Sequence, residues 1–209
     1  MREKVILQKL KAGSREALGL LWQDHSSHVL NLAFRMMKDR ELAEDILMDV
    51  FVQVPKAVQS FRGDSAISTW LYRLTVNACL MKLRALKRHR ELEEEHLEII
   101  IEEALGKSGE RAAREPGKVS GKVNLENSPV NASATILHDA AEYDPELLAL
   151  GLNELPAESR SMLWLKDAEN LEIKDLIEIF KAPEGTIKAR LSRARNFVRN
   201  YIKERKIYA

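Results

Sequence analysis

A single cysteine, Cys79, leaves no partner for an intrachain disulfide, and a reducing compartment is the natural expectation. No apolar run approaches the roughly 20 residues that a membrane-spanning helix needs. The opening residues, Met1-Arg2-Glu3-Lys4-Val5-Ile6-Leu7, hold no apolar stretch long enough for a signal peptide. The expected setting is cytoplasmic, with no direct membrane insertion. Glycine and proline are scarce, 9 and 6 in 209 residues, so most of the chain is free of helix breakers. Net charge is nearly absent at +1, so total charge points to no polyanionic partner. Recognised catalytic spacings are missing too. There is no phosphate-cradling glycine loop and no nucleophile–base arrangement of known spacing. His25 and His28, with Asp24 adjacent, form an H-x-x-H pair, but zinc needs three or four converging ligands and no second His or Cys cluster follows. An enzyme is not expected, nor a metal or other cofactor.

What remains is helix-forming sequence: 45% apolar and 31% charged residues, the profile of a soluble helical protein. Gly13-Ser14 is a break with Ser14 as N-cap, followed by Ala17, Leu18, Leu21, Trp22, Val29, Ala33 and Met36 at helical spacing. Asp39 caps a second helix lined by Ala43, Ile46, Leu47, Val50, Phe51 and Val54, and Pro55 should kink or end it. Phe61-Arg62-Gly63-Asp64-Ser65 is a loop by composition, and a third long helix runs from about residue 68 to 90. Between Gly106 and Ser133, 13 of 28 residues are Gly, Pro, Ser or Asn, and no aromatic residue falls between Tyr72 and Tyr143. Such a segment reads as a flexible linker, because it has too little apolar surface to offset its ordering entropy. Helices resume over 145–153, 157–167, 173–180 and 184–206. No strand pattern and no internal repeat is visible. The expected fold class is all-α: a helical domain over residues 1–91, an acidic then Gly/Pro/Ser-rich linker over 92–143, and a second helical domain over 144–209.

The small net charge conceals strong local charge. Residues 70–90 hold six bases (Arg73, Lys82, Arg84, Lys87, Arg88, Arg90) and no acid; residues 91–103 hold seven Glu and no base; residues 181–206 hold nine bases and two acids. One basic run is most simply a solvated helix face. Two basic helices, each closing a separate helical domain, favour nucleic acid. On the first, Ile67, Leu71, Leu74, Ala78, Met81 and Ala85 form an apolar stripe. Arg73, Asn77, Arg84 and Arg88 fall on the adjoining stripe, with Trp70 at the border. That stripe offers cations for phosphates, an amide for a base edge and an aromatic ring for stacking, worth roughly 1–3 kcal/mol per base. Trp70 taken alone is more simply a packing residue, as is Cys79 in mid-helix.

Residues 173–195 have the layout of a helix-turn-helix. Ile173, Leu176, Ile177 and Phe180 face inward, Lys181-Ala182-Pro183 turns, and the next helix buries Ile187, Leu191, Ala194 and Val198. Thr186, Ala189, Arg190 and Arg193 lie on one outward flank; Lys188, Ser192, Arg195 and Arg199 lie on the other. In this motif the start of the second helix enters the major groove. Arg190 or Arg193 is then placed for a bidentate guanine contact, with the other bases left to phosphates.

Three segments resemble one family. Ser60-Phe61-Arg62-Gly63-Asp64-Ser65-Ala66-Ile67-Ser68-Thr69-Trp70-Leu71-Tyr72-Arg73-Leu74-Thr75-Val76-Asn77 resembles the promoter-melting segment of extracytoplasmic-function sigma factors of bacterial RNA polymerase. Ala43-Glu44-Asp45-Ile46-Leu47-Met48-Asp49-Val50-Phe51 resembles their polymerase-binding helix. Leu155-Pro156 with Pro183-Glu184-Gly185-Thr186-Ile187-Lys188-Ala189-Arg190-Leu191-Ser192-Arg193-Ala194-Arg195 resembles their C-terminal promoter-reading domain. The resemblance implies a transcription initiation factor. Asp45, Asp49, Phe51 and Val52 would dock on the clamp helices of the largest polymerase subunit. Phe61, Arg62, Asp64, Ser65, Trp70, Arg73, Asn77, Lys82 and Arg84 would capture and melt the minus-ten element. Thr186, Lys188, Ala189, Arg190, Arg193 and Arg195 would read the minus-thirty-five element beside the flap region. An anti-sigma factor would hold the chain inactive, and the linker would follow the RNA-exit path. Pro55 and Ala189, where the family usually has serine, depart from its pattern. A dimeric helix-turn-helix repressor would leave the N-terminal domain without a job. A sigma mimic that only sequesters an inhibitor would not need the base-capturing residue types.

Overall fold

The computed structural model describes residues 2–104 and 144–206, so the expected linker lies outside the described residues. Eight helices follow in order: α1 (Arg2–Lys11), α2 (Arg15–Met37), α3 (Arg40–Ala57), α4 (Ile67–Ala104), α5 (Pro145–Glu154), α6 (Ala157–Asp167), α7 (Ile173–Phe180) and α8 (Glu184–Lys206), with a short 3-10 turn over Val58–Ser60 after α3. Among the described residues there is no strand, and no helix is long and apolar enough to cross a membrane. The chain divides into two compact units, Met1–Met81 with Ser133–Ala209, and Lys82–Ala132.

Caps set the first helices. The Ser14 side chain accepts from the Ala17 amide at 3.3 Å and Asp39 from the Leu42 amide at 2.9 Å, satisfying donors that a helix start leaves open. Lys38, left-handed at φ 58°, ends α2. Pro55 sits inside the last turn of α3, which continues to Ala57. The helix therefore ends two residues later than the proline alone suggested. A missing N–H so close to the C-terminus deprives only one carbonyl of its helical donor.

The first unit has two clusters of buried side chains. Leu21, Leu32, Met36, Ile46, Trp70 and Leu71 are fully buried among α2, α3 and the start of α4. Met162, Leu163, Leu165, Leu176 and Ile179 are fully buried, with Ile187, Leu191 and Val198 of α8 beside them. At Gly151 a Cβ would stand 3.1 Å from the Tyr201 ring, so a larger residue there would require that ring to shift by a few tenths of an ångström. Contacts join the two clusters, α2 packing on α6. Arg160, 6% exposed, donates to the carbonyls of Arg35 (2.6 Å) and Met36 (3.4 Å) at the end of α2, and to those of Asn153 (3.2 Å) in the last turn of α5 and Leu155 (2.9 Å) just after it. A cation suits those helix ends, where carbonyls lack intrahelical donors. The Arg35 guanidinium lies 4.6 Å from the Trp164 ring centre. Burial holds both guanidiniums below their usual pKa, and for Arg160 the nearby Arg35 adds to the effect.

The second unit is described from Lys82 to Ala104 as continuous helix. Sequence reading ended this helix near residue 90; it runs on through the glutamates. Lys87–Glu91, His89–Glu93 and Arg90–Glu94 pair one turn apart at 3.6, 3.2 and 3.9 Å. Placing the acidic run directly after the basic one thus extends the helix.

Candidate nucleic-acid and polymerase interfaces

The loop before α4 is fixed from below by α1. Lys11 Nζ donates to the Phe61 carbonyl at 2.7 Å, and Gln59 Nε2 donates to the Lys11 carbonyl at 3.0 Å. Gly63 turns the loop at φ 83°, a conformation natural only to glycine. Phe61 stacks on Trp70 with centroids 5.1 Å apart and planes at 28°, and the two residues are 5% and 1% exposed. The expected ring at the rim is therefore corrected: both aromatics lie in the core and hold the loop against α4. Arg62 and Asp64 are exposed and Ser65 is half-buried.

The buried stripe of α4 also differs from the predicted one. It runs through Thr69, Tyr72, Val76 and Cys79, with Leu71 and Thr75 beside it, while Met81 is 68% exposed. Thr75 tolerates burial by donating back to the Leu71 carbonyl at 2.8 Å. Asn77 is exposed. Arg73 is paired with Glu178 at 3.1 Å. In the second unit Lys82 is half-buried and Arg84 exposed.

On α3 the residues one turn apart, Asp45, Met48, Asp49 and Val52, share an exposed face, with Met48 55% and Val52 73% exposed. Phe51 does not belong to it. It is 5% exposed and meets Trp22 edge-on at 4.7 Å, so its expected role as a docking contact is corrected to a packing role. Met48, spaced with Asp45 and Val52 along the helix, lies on the same exposed face and was not among the expected docking residues.

On α8, Ile187, Leu191, Ala194 and Val198 are buried as predicted. Lys188, Ala189 and Arg193 are exposed and Thr186 is half-buried. Lys188 pairs with Glu184 at 2.6 Å, and Arg193 Nε donates to the Ala189 carbonyl at 3.2 Å. Arg190 meets Glu158 of α6 at 2.6 Å. Arg195, expected on an outward flank, turns inward. It bonds both oxygens of Asp167, at 2.6 and 3.4 Å, and the two side chains are 13% and 1% exposed. That is a fastening between α8 and α6, not an open DNA contact. Tight entry to α8 comes from Lys181, left-handed at φ 51°.

His28 Nδ1 lies 3.4 Å from a Glu169 carboxylate oxygen. Among the described residues no group of three or more His, Cys, Asp or Glu is placed to hold a metal ion.

Two family models match this chain: Sigma-70 region 2 over residues 21–89 and Sigma-70, region 4 over residues 146–198. Curated relatives include the RNA polymerase sigma-H factor of Pseudomonas aeruginosa, 26% identical over 94% of this chain and 92% of that protein. The ECF RNA polymerase sigma-E factor of Haemophilus influenzae is 25% identical over 97% and 96%. The ECF RNA polymerase sigma factor SigM of Mycobacterium tuberculosis is 27% identical over 88% and 76%. Two solved structures share the fold. The sigma factor RpoE in complex with the anti-sigma factor NepR from Bartonella quintana gives a TM-score of 0.57 at 23% identity, covering 88% of this chain and 96% of that one. CnrH in complex with the cytosolic domain of CnrY gives 0.60 at 16% identity, covering 98% and 99%. The chain belongs to the sigma-70 family, and within it to the extracytoplasmic-function sigma factors. It is a promoter-directing initiation factor of RNA polymerase and not an enzyme.

Proposed function

We propose that residues 1–91 dock on core polymerase through the exposed α3 face and open the minus-ten element with the loop 61–65 and α4. Residues 144–209 read the minus-thirty-five element with the start of α8. The chain acts in the cytoplasm, and an anti-sigma protein restrains it until a signal arrives. The observation that carries the docking reading is the pair Met48 and Val52, 55% and 73% exposed, beside Asp45 and Asp49. Two exposed apolar side chains one turn apart, flanked by carboxylates, fit a contact surface on this helix.

On DNA, Arg193 is the exposed arginine of α8 on the flank that faces outward. On α4, Asn77 offers an exposed amide and Arg62 an exposed cation. Melting even one base costs a few kcal/mol, comparable to what these few groups return. The polymerase must therefore supply the clamp, and tethering both DNA contacts to it makes the second effectively intramolecular.

The test is Met48→Glu with Val52→Glu. Both side chains are exposed, so helical content and unfolding midpoint should stay within about 0.5 kcal/mol of the parent. Affinity for core polymerase, measured by fluorescence anisotropy, should fall at least about tenfold, or about 1.4 kcal/mol. Unchanged affinity would remove α3 from the docking role.

A further inference from the structure

From Arg84 to Glu94 every residue of α4 is exposed, as are His96 and Leu97. This stretch belongs to the second unit, Lys82–Ala132. Its charge changes sign in the middle: Arg84, Lys87, Arg88 and Arg90 come first, then Glu91, Glu93 and Glu94. Two large apolar side chains stand among the charges, Leu86 at 42% and Leu97 at 59% exposure. Leu86, Arg90, Glu93 and Leu97 are spaced four, three and four apart. At about 100° per residue they fall within about 60° of one another, in one narrow seam along the helix. That alternation of threes and fours is what two helices need to interlock their side chains. Lys87 and Glu94 both flank the seam on the same side. Leu92, 65% exposed, lies well away from it.

The seam is complementary to itself when reversed. With a second copy laid antiparallel so that Leu86 meets its Leu97, Arg90 meets its Glu93. Glu93 and Leu97 then meet Arg90 and Leu86 of that copy, and on the flank Lys87 meets Glu94. A two-fold axis relates every one of these pairs, as a closed dimer requires. A parallel copy in register would instead set Arg90 against Arg90 and Glu93 against Glu93. Pairs already present do not block the reversed arrangement. Lys87–Glu91, His89–Glu93 and Arg90–Glu94 lie within the one helix, their side chains 56% to 73% exposed. Such wet pairs hold weakly and exchange readily. Between the leucines of two copies, an Arg90–Glu93 pair would be screened less by water.

We propose that this stretch of α4 is a contact between two copies of the chain. They pair antiparallel through residues 84–97, with Leu86 and Leu97 supplying the apolar contact and Arg90 and Glu93 setting the register. A charged pair inside such a seam fixes alignment at a cost in stability. The seam is short, so the association is weak and reversible and grows with the concentration of the chain. Neither the exposed face of α3 nor the start of α8 takes part.

Sedimentation velocity of the full-length chain at low salt, from about 1 to about 300 µM, reads the mass directly. The parent should move from the mass of one chain toward that of two as concentration rises. Arg90→Glu and Glu93→Arg should each weaken self-association at least about tenfold, because like charges then face each other across the seam. Mixed together, the two variants should associate as the parent does, since every acid again faces a base. The double variant Arg90→Glu with Glu93→Arg should recover in the same way. Circular dichroism checks that each chain keeps its helices, and recovery on mixing shows that neither single variant had merely misfolded. A parent that stays monomeric throughout would overturn the pairing and leave the seam to a different protein. A dimer that both single reversals leave intact would overturn it too, as would a mixture that fails to associate.

Discussion

Arg195 and Arg190 are held in one way and Arg73 in another. In the C-terminal half, Arg195 and Arg190 find their acids nearby, Asp167 and Glu158 on α6. In the N-terminal half, Arg73 finds its acid 105 residues away, on α7. The Arg195–Asp167 pair is closed off, its side chains 13% and 1% exposed, whereas those of Arg73 and Glu178 are 25% and 26% exposed. Exposure and pairing also separate Arg190 from Arg193, because only Arg193 stands exposed without an acid partner among the described ion pairs.

The largest expected effect sharpens the architectural side. Arg195→Ala leaves the Asp167 carboxylate, 1% exposed, without its cation. Breaking a buried pair from one side costs about 3–5 kcal/mol, so the urea midpoint should fall steeply. A loss below about 1 kcal/mol would return Arg195 to the surface role the sequence suggested. Trp70→Ala should be nearly as costly, about 3–5 kcal/mol, whereas exposed Asn77→Ala should stay within about 0.5 kcal/mol while slowing promoter opening. Permanganate reactivity of the holoenzyme complex separates the two. If both substitutions leave stability intact, the burial of Trp70 is not what holds the loop.

Smaller effects follow on α8. Arg193→Ala should cost the holoenzyme about 1–3 kcal/mol of discrimination between promoters. Arg190→Ala should cost less, since its guanidinium is already engaged by Glu158. Competition binding with single-base variants of a promoter would show it, and the reverse order would break the comparison. The smallest effect concerns Cys79. Burial pushes its thiol up to about 12, so the folded chain should resist alkylation at pH 8 and react only as urea unfolds it. The sign follows: the folded state disfavours the thiolate. Stability from this group is intact below the unfolded thiol's pKa and declines as pH rises toward 12.

Much of this was legible beforehand. Ser14 and Asp39 cap where their positions before apolar periods implied. The helices around the Lys181 turn begin and end where the Ile173–Phe180 and Ile187–Val198 patterns required. What misled was α4. Its apolar residues suggested a stripe from Ile67 through Met81; Ile67 and Leu71 are buried, but Met81 is exposed and Thr69, Tyr72 and Thr75 are buried. Periodicity counts hydrophobic side chains and overlooks polar ones whose partners arrive from far along the chain. Tyr72 and Glu169 are 97 residues apart, and no local pattern joins them. Arg195 was misplaced for the same reason: its face was read from helix geometry, while Asp167 decided it. Residues 92–104 were grouped with the linker as an acidic segment, but they continue α4, with Glu93 and Glu94 paired one turn back to His89 and Arg90.

The most direct measurement is in vitro transcription with purified core polymerase, this chain and fragmented genomic template. The account predicts discrete new transcripts that require the chain and that vanish with Met48→Glu and Val52→Glu. An absence of chain-dependent transcripts, together with no association between the chain and core polymerase, would contradict it.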